Sequence, residues 1–112
     1  MSTYEEDLRR QQIFMRRAEM LISEANIDII GPMIPKITEE TVINFASAVA
    51  HLRGRYLQAA FNISNVANGE PPSDAEITNL RKYREIYEEA RKAFEELTHA
   101  LDRGYVRISG SD

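Results

Sequence analysis

Apolar residues recur at three- and four-residue intervals through most of the chain, and sustained strand alternation is absent over most of it. Leu8, Met15, Ala18, Ile22 and Ala25 share one face, with Phe14 and Leu21 beside them, and predict a first helix over about residues 3–26. Thr3 with Glu6 has the form of a capping box at its start. The segment that follows, IDIIGPMIPKI at 27–37, predicts a connector, because Gly31, Pro32 and Pro35 interrupt a continuous helix. Six of its eleven residues are Ile or Met, whereas connectors normally run over the surface and are polar. Something is expected to cover it.

Thr38 is placed to cap a second helix, with Glu39 and Glu40 in the first turn where the helix dipole favours acids. That helix is expected over about 38–68, ending at Gly69 and the Pro71-Pro72 pair. Ser73 and Glu76 form another capping box, opening a third helix over about 73–103, with Gly104 as its stop. In the tail, 104–112, YVRI suits a short extended segment and SGSD a frayed end. The four-residue connection Glu70–Ser73 predicts that helices 2 and 3 form a long antiparallel hairpin. The expected fold is all-α: a single domain, 1–112, built as a three-helix bundle on that hairpin, with the apolar connector between helices 1 and 2.

Helices 2 and 3 differ in how much apolar surface they carry. In helix 2, Val42, Phe45, Val49, Leu52, Tyr56, Ala59, Ile63 and Val66 make one stripe. An adjacent stripe holds Ile43, Ser47, Ala50, Gly54, Leu57, Phe61 and Ser64. Only a third is polar, with Asn44, His51, Arg55, Gln58, Asn62 and Asn65. Helix 3 has one seam, Ile77, Leu80, Tyr83, Tyr87, Ala90, Phe94, Leu97 and Leu101. The rest of it is dense in charges paired at i,i+4, such as Arg84/Glu88 and Arg91/Glu95, the mark of a solvated face. The second stripe of helix 2 is therefore in excess. Either helix 2 is sandwiched by both other helices, or that stripe meets its counterpart in a twofold dimer. The dimer is the expectation, with Ile29, Ile30, Met33, Ile34, Ile43, Ala50, Gly54, Leu57 and Phe61 as the interaction surface.

Composition narrows the function more than the fold. The chain has 112 residues, 43% of them hydrophobic and 29% charged, which suits an ordered globular domain. Without cysteine it has neither disulfides nor a thiolate metal site, and a cytoplasmic setting is expected. The acidic start MSTYEED is unlike a signal peptide, and no membrane span is expected. A net charge of −4 argues against nucleic acid as a partner. Arg9, Arg10, Arg16 and Arg17 are the one candidate patch for it, and Glu5 and Glu6 stand four residues before the first pair.

Catalytic chemistry finds no foothold. There is no GxSxG elbow, and the five glycines are scattered with no phosphate-binding loop among them. Glu96 and His99 have the Glu-x-x-His spacing by which one helix presents two ligands to a metal in a bundle core, but they flank the seam of helix 3. Helix 2 could add only His51. His51, Arg55, Gln58 and Asn62 make a polar row without acids, suited to an anionic ligand or an acidic partner, or to pairing with helix 3. The expected function is a non-enzymatic protein-interaction module, such as an adaptor, a chaperone-like factor or a regulatory subunit, homodimeric through helix 2 and without a cofactor. The alternative is a helical bundle that binds a metal or small ligand through Glu96, His99 and His51.

Overall fold

A computed structural model describes residues 2–34, 36–64 and 69–109. Three α-helices account for most of them: α1 (Thr3–Met33), α2 (Glu39–Ser64) and α3 (Asp74–Asp102). No strand occurs among the described residues, and the only β pairing there is an isolated parallel bridge between Ile37 and Ile108. The expected continuation of helix 2 through Asn68, with Val66 on its seam, and the end of the tail at 110–112 lie outside the described residues.

Local chemistry sets most of the helix ends. Ser2 caps α1, its hydroxyl accepting from the Glu5 N–H at 3.1 Å, one residue earlier than the expected Thr3–Glu6 box. Thr38 accepts from the Thr41 N–H at 3.1 Å at the head of α2. At α3 the capping box is complete, because Ser73 accepts from the Glu76 N–H and the Glu76 carboxylate accepts from the Ser73 N–H.

The C-terminal stop of α3 is a Schellman motif. Gly104 takes the left-handed φ of 76°, which a Cβ would strain. The Gly104 N–H then bonds back to Leu101 and the Tyr105 N–H to Ala100. The hydrophobic contact that accompanies such a turn is here the Tyr105 ring, edge-on to His99 with centroids 6.1 Å apart.

One expected boundary is corrected. The first helix does not end near residue 26; it continues through the apolar segment to Met33, with Pro32 inside its last turn. Two local facts permit this. Gly31 has no Cβ to collide with the proline ring, so it can stay helical before Pro32. The bond lost for want of a proline N–H also falls where the helix is ending, and the Ile34 N–H closes the turn onto the Gly31 carbonyl at 3.3 Å. The described residues between α1 and α2 are therefore only 34 and 36–38.

Among the described residues α2 and α3 are the only helices whose backbones pack together, with Cα atoms within 8 Å. Phe45 meets Phe94 with ring centroids 5.3 Å apart, and Tyr56 stacks on Tyr87 at 6.1 Å. Val49, on the same stripe of α2, is one of three buried apolar residues among the described residues. The other two, Ile37 and Val106, close the junction where α1, α2 and α3 come together. There the tail folds back over the connector, and the Ser109 N–H donates to the Ile37 carbonyl at 2.7 Å.

The expected bundle is not closed within one chain, because α1 leaves the junction without packing its backbone against α2 or α3. The radius of gyration is 22.6 Å, against about 13 Å for a compact domain of this length. The extents are 73 × 49 × 18 Å, a flat and open shape.

Two substitutions check the junction. Ile37→Ala should lower unfolding stability by about 2–4 kcal/mol in denaturant titrations, the range for truncating a buried Ile. Gly104→Ala should cost about 1 kcal/mol, because alanine resists the left-handed φ of the Schellman turn.

Candidate functional site

The candidate surface is built from the two apolar faces that the α2–α3 packing leaves uncovered. On α2 the packed stripe turns Phe45, Val49, Leu52, Tyr56, Ala59 and Ile63 inward to various degrees. A rotation of about 100° per residue then puts the neighbouring stripe outside. Ile43, Ala50, Gly54, Leu57 and Phe61 are all exposed, Leu57 by 58%. A Cβ built on Gly54 meets nothing within 4 Å, so that face lies open at its middle.

The second face belongs to α1. Leu8, Phe14, Met15, Leu21, Ile22 and Ile29 are exposed, Phe14 by 64%. The shallow apolar groove along this face is lined by Phe14, Arg17, Ala18, Leu21 and Ile22, all from α1 itself. No other element contributes a wall.

The Ile/Met segment divides between the two roles expected of it. Ile37 is buried and Ile30 half-buried at the junction. Ile29, Met33 and Ile34 are exposed, Met33 by 72%. The part of the segment that turns is covered by the tail. The part that is helical extends the apolar surface of α1.

The polar stripe faces outward. His51, Arg55, Gln58 and Asn62 are exposed, and among the described residues Arg55 makes no ion pair with α3. Arg53 engages α3 instead. Its Nε donates to the Tyr87 hydroxyl at 3.0 Å, and its guanidinium carbon lies 5.3 Å from the centroid of that ring. The sequence pattern places Tyr87 on the seam of helix 3 and does not name Arg53 as its partner. Adjacency of Arg53 to the packed stripe was the available signal.

Charge on α3 centres on Arg91, which bonds Glu88 at 2.6 Å and Glu95 at 2.5 Å. The expected Arg91/Glu95 pair forms, whereas Glu88 turns to Arg91 rather than to Arg84 or Lys92. The Arg91 hydrogen bond, aided by its charge and those of Lys92 and Arg84, holds the Glu88 carboxyl below its ordinary pKa. Glu88 and its Arg91 bond raise the arginine's pKa in turn.

Glu96 and His99 edge a groove between α3 and the C-terminal end of α1, with Asn26, Ile30, Leu97 and Tyr105. Both are exposed, and His51 lies on the outer face of α2. No group of three or more His, Cys, Asp or Glu residues gathers as a metal site among the described residues. None of the described helices is long and apolar enough to cross a membrane. Comparison with known protein families, with curated proteins and with solved structures finds no match to this chain.

Two measurements follow from these contacts. Tyr87→Phe removes the Arg53 bond and keeps the ring stack, so stability should fall by about 1 kcal/mol or less. Glu88 has a lowered pKa, so its contribution is present above the ordinary carboxylate pKa and disappears as pH falls through the lowered value. Glu88→Gln should therefore melt slightly earlier than the parent at neutral pH, and the difference should vanish in acid.

Proposed function

We propose that the chain is a non-enzymatic helical protein-interaction module of the adaptor, chaperone-like or regulatory-subunit class, and that it works as a homodimer through α2. One observation carries the reading. The accessible surface is 9198 Å² for a chain of 12.8 kDa, against about 6,300 Å² for a compact monomer of that mass. The excess is about 2,900 Å² by that comparison. The exposed large apolar residues include those of α1 and of the second stripe of α2. Large exposed apolar patches on soluble chains mark surfaces that other molecules cover.

Helix energetics point the same way. Most of the stability of helices in proteins comes from packing an apolar face rather than from intrinsic propensity. A 31-residue helix with no fully buried side chain draws its support from outside its own chain.

The architecture proposed for the assembled protein is a three-helix bundle on an antiparallel α2–α3 hairpin. The order of contacts supports the antiparallel sense, since Phe45 meets Phe94 whereas Tyr56, further along α2, meets Tyr87, earlier in α3. The interaction surface runs from Ile43 through Ala50, Gly54 and Leu57 to Phe61, with Ile29, Met33 and Ile34 continuing it past the junction.

Light scattering or sedimentation across a wide concentration range tests this reading. A dimer is expected, and a strict monomer at the highest concentration overturns it. Gly54→Leu puts a bulky side chain on the open face of α2, where overpacking costs about 1–3 kcal/mol. The dimer should weaken about five- to hundredfold by that energy.

A further inference from the structure

We infer that the two copies exchange their first helices, each α1 lying along the outer face of the partner's α2, so that every three-helix bundle is completed by an arm from the other chain. The inference rests on the homodimer reading and specifies what covers the two open faces.

Closure within one chain is blocked at the junction. For α1 to fold back onto its own hairpin, the connector must turn, yet Ile37 is buried, bridged to Ile108 and hydrogen-bonded from the Ser109 N–H. The C-terminal end of α1 is held as well. A Cβ on Gly31 would lie 3.6 Å from the Tyr105 carbonyl, and Ile27 and Gly31 line a groove with Tyr105 and Val106. The end of the arm thus rests on the tail beside the buried Val106.

A second copy supplies what the first lacks. Each chain carries one surplus apolar arm and one surplus apolar face, the requirement for reciprocal exchange about a twofold axis. Their lengths agree: 31 residues of α1 and 26 of α2 are about 46 Å and 39 Å at 1.5 Å per residue. Covering half of the surface excess on each copy would bury about 2,900 Å² in total, within the range of obligate homodimers. Ala50 and Gly54 on α2, with Ala18 and Ala25 on α1, leave room for the two helices to approach closely.

The direction follows from where the arm begins. α1 departs from the end of the hairpin at which α2 starts, so a twofold axis beside that junction sets α1 antiparallel to the partner's α2. Ile29 then lies near the partner's Ile43, Ala18 near the partner's Gly54, and Met15 near the partner's Leu57.

The absence of native cysteine makes cross-linking a clean test. Met15→Cys and Leu57→Cys chains, co-refolded and oxidised mildly with glutathione disulfide, should give a disulfide-linked mixed dimer. The yield should be at least tenfold above that from Arg16→Cys with Leu57→Cys, because Arg16 lies away from the apolar stripe of α1. Self-linking of Ala18→Cys, or of Leu57→Cys, without the mixed product would overturn the exchange and leave the homodimer standing. A monomer in sedimentation overturns both.

Hydrogen exchange gives a second readout on the unmodified chain. On dilution below the dimer dissociation constant, α1 amides should lose protection while the α2–α3 amides keep theirs. Retained α1 protection in the monomer means that the arm closes in its own chain, and overturns the exchange.

Discussion

The junction around Ile37 is the constraint on which the rest of the molecule depends. Three helix ends and the tail converge there, and two of the three buried apolar residues among the described residues sit in it. The Ser109–Ile37 bond, the Ile37–Ile108 bridge and the Schellman turn at Gly104 act together. The turn ends α3 and throws the tail back across the connector, and the tail then fixes the angle at which α1 leaves. Weaken any of the three, and the direction of a 31-residue lever is released.

Two kinds of surface result. Between α2 and α3 the chain satisfies itself, through the Phe45–Phe94 and Tyr56–Tyr87 pairs and the Arg53–Tyr87 bond. Elsewhere it does not, because the arm and the outer stripe of α2 present large aliphatic and aromatic groups to solvent. Such an arrangement is costly for an isolated chain and economical for one that meets a copy of itself. The charged outer side of α3, with Arg91 bridging Glu88 and Glu95, is the part suited to remain in water.

Much of the fold was legible where a single residue type does a local job. Ser73 with Glu76, Thr38 and Gly104 announced their helix ends, and the excess apolar stripe of α2 was apparent from spacing alone. The reach of α1 through Pro32 was not, because a proline reads as a breaker unless the residue before it lacks a Cβ and the helix ends nearby. The tail's role was only half visible: YVRI suggested extension, but nothing in its pattern named Ile37 as its partner. Least legible was the fate of α1. An amphipathic pattern states that a face needs covering and is silent on which chain supplies the cover. Of the residues that the pattern put on the candidate surface, Ile29, Met33, Ile34, Ile43, Ala50, Gly54, Leu57 and Phe61 are exposed, whereas Ile30 turns partly into the junction.

The junction also has a temporal side. The residues that pin the connector, Val106, Ile108 and Ser109, are translated roughly seventy positions after Ile37. At about 5–20 residues per second that delay lasts on the order of 4–15 s. For that interval a nascent chain carries a greasy helix whose direction nothing has yet set, close to neighbours on the same message that carry the same helix. A late-arriving latch of this kind leaves the direction of the arm unset until α2 and α3 have both been made.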